Sequence, residues 1–255
     1  MKHISIAGGP GQRPGRLKVR IDSKTFRSAE GTAAEVLRDF SFELRPETFT
    51  CLIGPSGCGK TTTLRLILGL DQDFAGEIEL PSPPPRLAAV FQEPRLLPWR
   101  TVEQNVRLAL PPAAGRTVDL DGLFATLGLQ DLRGRYPEEL SLGLARRVAL
   151  ARAFAVMPDI LLLDEPFVSL DEHTADRLRA LLLELWRTQA TTVLMVTHNV
   201  REAARLADRL LLMNGHPARI VGDVPVPLAR AARQGEELRR FLDELTRAHP
   251  ETVLA

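Results

Sequence analysis

One stretch constrains this chain more than any other: Gly54-Pro55-Ser56-Gly57-Cys58-Gly59-Lys60-Thr61, which fits the pattern G-x-x-x-x-G-K-[ST]. It follows the apolar run Phe49–Ile53, which reads as a buried parallel strand. It precedes residues 60–70, whose Leu64, Ile67 and Leu68 share one helical face. Strand, glycine-rich turn and helix in that order make a cradle for phosphate. The glycines let successive N–H groups curl around phosphate oxygens, and the helix N-terminus adds partial positive charge. Lys60 is placed to neutralise the β- and γ-phosphates, and the Thr61 hydroxyl to ligate Mg²⁺.

A second stretch supplies acids. Residues 160–163 read as another buried strand, and it ends in Asp164 and Glu165. Asp164 can hold the Mg²⁺ shell, and Glu165 is placed to polarise an attacking water as general base. Together the two stretches predict a P-loop ATPase.

The rest of the chain reads as an α/β core interrupted by helices. Residues 17–22 alternate as a half-buried strand does, and a second strand over 36–44 follows a polar turn at 30–32. Strands are predicted over 76–80 and 87–91, on either side of a stiff Pro-rich segment at 81–85. Between 97 and 158 the texture is helical, with helices over 101–110, 118–127 and 141–156. Alternation then returns: a helix over 174–188, a strand over 192–196, a helix over 199–207, and strands over 209–213 and 219–221. A charged helix over 236–247 closes the chain, read either as an amphipathic helix docked on its own core or as a regulatory tail. Residues 1–16 are expected to be a flexible tail, because 7–16 are rich in Gly, Pro and Arg.

Composition closes off other classes. Net charge is +1, from 33 basic and 32 acidic residues, so no footprint for nucleic acid is expected. No apolar run approaches the roughly 18 residues that a membrane-spanning helix needs, and no secretory signal is expected. Two cysteines are too few for a disulfide framework or a metal cluster; Cys51 reads as a buried strand residue. A cytoplasmic location is expected.

Further elements, in order, resemble the ABC ATPase family over residues 17–223. Gln92 follows the strand over 87–91, where the family has its Q-loop. Leu140-Ser141-Leu142-Gly143-Leu144 stands where the family has its signature LSGGQ. Ser169-Leu170-Asp171 matches the D-loop, His198 the switch histidine, and Phe26 the aromatic that stacks on adenine. The resemblance implies an α/β fold: a P-loop NTPase (RecA-like) core with an N-terminal antiparallel β subdomain and an inserted α-helical subdomain at about 97–158. Residues 224–255 are then a C-terminal helical tail.

It also implies ATP and Mg²⁺ as cofactors. Catalysis falls to Glu165, His198 and Lys60; nucleotide binding to Phe26, Gly54, Pro55, Ser56, Gly57, Cys58, Gly59, Lys60, Thr61, Thr62, Gln92, Ser141, Gly143 and Asp171; and the metal to Thr61, Gln92 and Asp164. A P-loop surrounds only one side of a triphosphate. A second subunit completes the site with a helix N-terminus, so a dimer is implied, with identical or different copies. Two residues depart from the signature: Leu142 replaces its first glycine and Leu144 its usual polar residue, which predicts reduced rather than abolished activity. Asn199 stands where relatives often have aspartate, with no predicted consequence.

Residues 95–106, with Leu96-Leu97-Pro98-Trp99, look like the nitrate, sulfonate and taurine importer ATPases. That implies the ATPase subunit of an importer for a small oxyanion, at the cytoplasmic face of the membrane. Its partners would be a separate permease and, indirectly, a periplasmic or extracellular solute-binding protein. Trp99 is read either as an apolar anchor for the permease or as packing of the insert. The alternative function is a non-transport ABC ATPase acting on a soluble macromolecule. It is disfavoured by the single P-loop, the short insert, and the lack of heptads and cysteine clusters.

Overall fold

Short apolar runs form the strands and amphipathic stretches the helices, in a computed structural model that describes residues 4–7, 15–27, 32–111 and 118–253. The strands, in chain order, are β1 (Ile4–Ala7), β2 (Leu17–Arg27), β3 (Ala33–Leu44), β4 (Phe49–Ile53), β5 (Ala75–Pro81), β6 (Leu87–Val90), β7 (Ile160–Asp164), β8 (Thr192–Thr197), β9 (Arg209–Gly215) and β10 (Ala218–Pro225). The helices are α1 (Lys60–Ile67), α2 (Val102–Arg107), α3 (Asp121–Leu127), α4 (Leu142–Phe154), α5 (Glu172–Thr188), α6 (Val200–Leu206), α7 (Gly235–Ala248) and α8 (Pro250–Val253). The α/β class with an antiparallel portion and a helical portion is as expected.

The chain divides into two compact units, Met1–Pro85 with Thr192–Ala255, and Arg86–Thr191. In the first, strands are ordered β1-β5-β2-β3-β10-β9-β4-β8. Its β2, β3 and β5 are antiparallel, and β9, β4 and β8 are parallel. β4 and β8 are buried at every residue, because helices cover parallel strands on both faces. β2 instead alternates buried and exposed over its first half, with Leu17, Val19 and Ile21 inward. α7 packs on α6 through Leu238, Phe241 and Leu245, one stripe at helical spacing, so the C-terminal helix is docked on its own core.

In the second unit β6 and β7 are a parallel pair, and α4 packs against β6, α2, α3 and α5. Its core holds Val106, Phe124, Leu127, Val148, Phe154 and Leu182, all buried. Thr101 and Gln104 form a capping box at the start of α2.

Several boundaries differ from expectation for local reasons. α1 stops at Ile67 rather than 70, because Gly69 turns to φ 69° and ends the helix. α3 begins at Asp121 rather than 118, where Asp119 Oδ1 accepts the Asp121 N–H at 2.8 Å and replaces a helical turn. α4 ends before 156, and Met157 takes φ 47°. The last strand extends past 219–221 to Pro225 through a register shift between Ile220 and Gly222. Residues 4–7, placed by composition in a flexible tail, form β1 and pair with β5 from Ile4↔Ile78 to Ala7↔Pro81. Most of the rest of that tail, and most of the turn at 30–32, lie outside the described residues.

Candidate functional site

The first unit builds the phosphate loop. β4 delivers the chain to Gly54, and α1 takes it up again at Lys60. Gly59, the α1 N-cap, has φ 101°, and a Cβ there would lie 2.8 Å from Val36 Cγ1 and 2.9 Å from Leu37 Cδ2. Only glycine fits that turn. The α1 N-cap is a glycine, so no capping side chain stands over the start of that helix. Lys60 is 6% exposed, and its Nζ donates to Gly54 O at 2.7 Å and Pro55 O at 2.9 Å. The ammonium is thus held over the loop by the loop's own carbonyls. Cys58 is buried, Pro55 and Thr62 are half-buried, and Ser56, Gly57 and Thr61 are exposed.

β8 pairs with β4 in register, Ile53 opposite Thr197, so Gly54 and His198 leave the same edge of the sheet. Ligands of parallel sheets bind at this carboxyl edge. His198 is exposed. Behind it, Thr197 Oγ1 accepts the Asn199 N–H at 3.0 Å and donates to Glu202 Oε2 at 3.3 Å. Asn199 Oδ1 accepts the Glu202 N–H at 3.0 Å and caps α6. Asn199 therefore has a consequence that sequence reasoning missed: it fixes the turn carrying His198.

Phe26, near the end of β2, is 43% exposed. Lys24, buried beneath it, puts its Nζ 4.6 Å from the ring centroid and pairs with Asp71 at 3.0 Å. Sequence reasoning missed Lys24. β2 shifts register against β5 between Ile21 and Ser23, and the shift turns Lys24 inward.

The second unit carries the acids. β6 and β7 pair with Val90 opposite Leu163, so Gln92 and Asp164-Glu165 emerge from one edge. Asp164 is 4% exposed, Gln92 is exposed, and Glu165 is half-buried with φ 46°. Ser141 is the α4 N-cap and accepts the Leu144 N–H at 3.3 Å. Leu142 is the first helical residue, 41% exposed, with no positive φ to resist its Cβ. Gly143 is in close approach to α5: a Cβ there would lie 2.6 Å from Thr174 Cγ2, so Thr174 would have to shift. Asp171 caps α5, and the Thr174 N–H it accepts at 2.9 Å holds its carboxyl below the usual carboxylate range. Asp171 is thus a cap within its own chain.

Trp99 is 69% exposed, which excludes it as a packing residue of this unit. Its loop is pinned by buried Asn105, whose Nδ2 donates to Leu97 O, Arg100 O and Thr101 O, while Oδ1 accepts the Leu97 N–H at 2.7 Å. Among the described residues, no group of three or more His, Cys, Asp or Glu side chains could hold a metal ion alone.

Residues 37–168 match the family described as ABC transporter. The chain is 40% identical, over 93% of its length and 100% of the relative's, to the aliphatic sulfonates import ATP-binding protein SsuB 2 of Pseudomonas syringae pv. tomato. It is 41% identical to SsuB 1 of Pseudomonas savastanoi pv. phaseolicola, over 91% of this chain and 97% of that one. SsuB of Bacillus licheniformis is 40% identical, over 83% and 85%. Among solved structures, the chain is similar to a dimeric bacterial ABC transporter cassette, with TM-score 0.69 and 25% identity over 84% of this chain and all of that one. A dimeric post-hydrolysis cassette bound to ADP and phosphate superposes with TM-score 0.67 at 24% identity, over the same shares.

Proposed function

We propose, because this chain belongs to the ABC transporter family, that it powers the uptake of small organic sulfonates through a separate membrane permease. The chain is an ATP-binding and ATP-hydrolysing cassette. The observation that carries the reading is Lys60, drawn over the backbone that would receive a phosphate. A glycine turn at a helix N-terminus with a buried ammonium beside it fits a polyphosphate.

Mg²⁺ fits the donors present. Such an ion is held mainly by phosphate oxygens and water with one or two protein oxygens, and Asp164 is a buried carboxylate of the required kind. The resemblance assigns the ion the Thr61 hydroxyl from the first unit and Gln92 and Asp164 from the second, and bound it would neutralise phosphate charge. Residues 54–62 bind the phosphates, with Lys60 on the β and γ groups, and Phe26 stacks on the adenine. Glu165 takes the proton of the attacking water, and His198 contacts the γ-phosphate. In a dimer of cassettes, Ser141 and Gly143 of one copy face the γ-phosphate bound to the other, and Asp171 links the two sites. Closing the dimer would move the helices of the second unit and, with them, the permease.

Import and sulfonate rest on the relatives, all three of which are sulfonate import proteins by name. They support transport over action on a soluble macromolecule. No helix among the described residues is long and apolar enough to cross a membrane. As in an importer, attachment would run through the permease at its cytoplasmic face. A solute-binding protein would deliver cargo from the other side. Trp99, exposed on its pinned loop, offers the permease an apolar anchor.

The test is purification from detergent-solubilised membranes followed by reconstitution into vesicles with labelled alkanesulfonate. A polytopic permease is expected to co-purify, with ATP-dependent uptake. Trp99→Ala is expected to lower uptake by about tenfold or more while nucleotide affinity stays within about twofold. Uptake of nitrate but not sulfonate would reassign the cargo. A ribosomal or nucleic-acid partner in place of a permease would overturn transport itself.

A further inference from the structure

The loop after β7 is backbone-strained and carries Glu165. Glu165 has φ 46° and Ser169 φ 61°, left-handed conformations disfavoured for residues with a Cβ. Such turns persist where the surroundings over-determine them, and here two buried guanidinium groups do so. Arg146, in α4 and 4% exposed, donates from Nη1 to two successive carbonyls of the loop, Glu165 O at 3.4 Å and Pro166 O. Arg179, in α5 and 7% exposed, lies 5.7 Å from the centroid of Phe167 and pairs with Glu172 at 2.7 Å and Asp176 at 2.9 Å. A buried cation costs free energy unless it is well bonded, so an arginine aimed at two carbonyls marks a specified contact.

The same helix begins at Ser141, and a Cβ on its Gly143 would require Thr174 to shift. The first turns of α4 and α5 are therefore in close contact at Gly143 and Thr174. Arg146 stands further along α4, joined to the loop that presents Glu165.

We propose that Arg146 is a positioning residue for Glu165. It fixes the left-handed turn at the end of β7 and ties the helix headed by Ser141 to the carboxylate that activates water. Rearrangement of Ser141 against a nucleotide bound by a second copy is thereby transmitted to Glu165 of the same chain. This rests on the ATPase reading of Glu165 given above.

The experiment compares the full chain with Arg146→Met, which keeps length but removes the donors, and with Arg146→Lys. Each is measured for ATP turnover and for equilibrium binding of a fluorescent ATP analogue, alone and in a Glu165→Gln background. Arg146→Met is expected to lower kcat by about 10- to 100-fold, the order that small misplacement of a reacting group costs, with KM and Kd within about threefold. Arg146→Lys should restore part of the loss. In the Glu165→Gln background, Arg146→Met should change residual turnover by less than about twofold, because the two residues act as one unit.

Equal losses in both backgrounds, or a fall in nucleotide affinity matching the fall in kcat, would mean a general structural role and overturn the proposal. So would wild-type turnover that Arg146→Met leaves intact. If Arg146→Met does not fold, Arg146→Lys decides: kcat reduced about threefold or more at unchanged Kd supports the proposal, and unchanged kcat overturns it. A wild-type chain that binds ATP but never hydrolyses it would instead sink the functional reading, and this inference with it.

Discussion

Two helix starts in this molecule look alike in sequence terms and differ in chemistry. α1 opens on Gly59, which brings no capping side chain to the start of the helix. α4 opens on Ser141, whose hydroxyl accepts the Leu144 N–H at 3.3 Å and so caps the helix. Beside α1 sits a buried ammonium; the exposed first residue of α4 is Leu142. The first end is finished as an anion site within its own chain. The second is capped for itself and would meet an anion only when another surface is brought to it. Helix polarity is common to both, so what separates a binding end from a docking end is whether the chain brings a capping side chain to it.

The sharpest way to break this comparison is at Lys60. If α1 is the finished site, Lys60→Ala should lower ATP turnover by about 100-fold or more, the scale of losing one charge-stabilising donor. Stability should fall by about 1–3 kcal/mol at most, since the carbonyls of Gly54 and Pro55 lose their donor. The readouts are steady-state phosphate release and thermal melting. Turnover within threefold of wild type would mean that the loop is not the phosphate site.

Ser141 comes next. Ser141→Ala should destabilise the chain by about 1 kcal/mol, the usual value of an N-cap, and leave nucleotide affinity of a single copy unchanged. Its effect on turnover should appear only when copies associate, as a loss of concentration-dependent ATPase activity. Ser141→Gly separates the two roles, because glycine caps almost as well yet brings no hydroxyl. If Ser141→Gly turns over ATP as fast as wild type, the hydroxyl serves only its own helix.

These contrasts also show what could be read before any coordinates. The phosphate loop was legible because its residues are contiguous and because Phe49–Ile53 is apolar throughout, as a strand covered on both faces must be. The edge shared by Gly54 and His198 follows from two such runs pairing in parallel. Lys24 under Phe26 was not legible, since a register shift decides which way it points. Arg146 is not singled out in the sequence, because its partners, the carbonyls of Glu165 and Pro166, stand about twenty residues away along the chain. Asn199 looked neutral although the helix start is read to within a residue, because it is compared with an aspartate in relatives and not weighed as a cap. The left-handed Glu165 carries no compositional signal at all, being neither glycine nor asparagine.

The smallest expected effect is at Leu142, and it refines the comparison most. Its position tempts one to expect inactivity, because a Cβ stands where the signature of the ABC family has glycine. The backbone argues otherwise: Leu142 is the first residue of α4, without positive φ, and it is 41% exposed. No strain is stored there for a glycine to release. Any cost is therefore steric and external, felt where a second copy's nucleotide comes close. Leu142→Gly should raise turnover by no more than about fivefold, while the exposed helix loses about 0.5–1 kcal/mol from glycine's backbone entropy. Measuring both on one preparation distinguishes the causes. A gain in turnover with the small stability loss places the crowding across the dimer, whereas a gain in stability would show that the leucine strains its own helix after all.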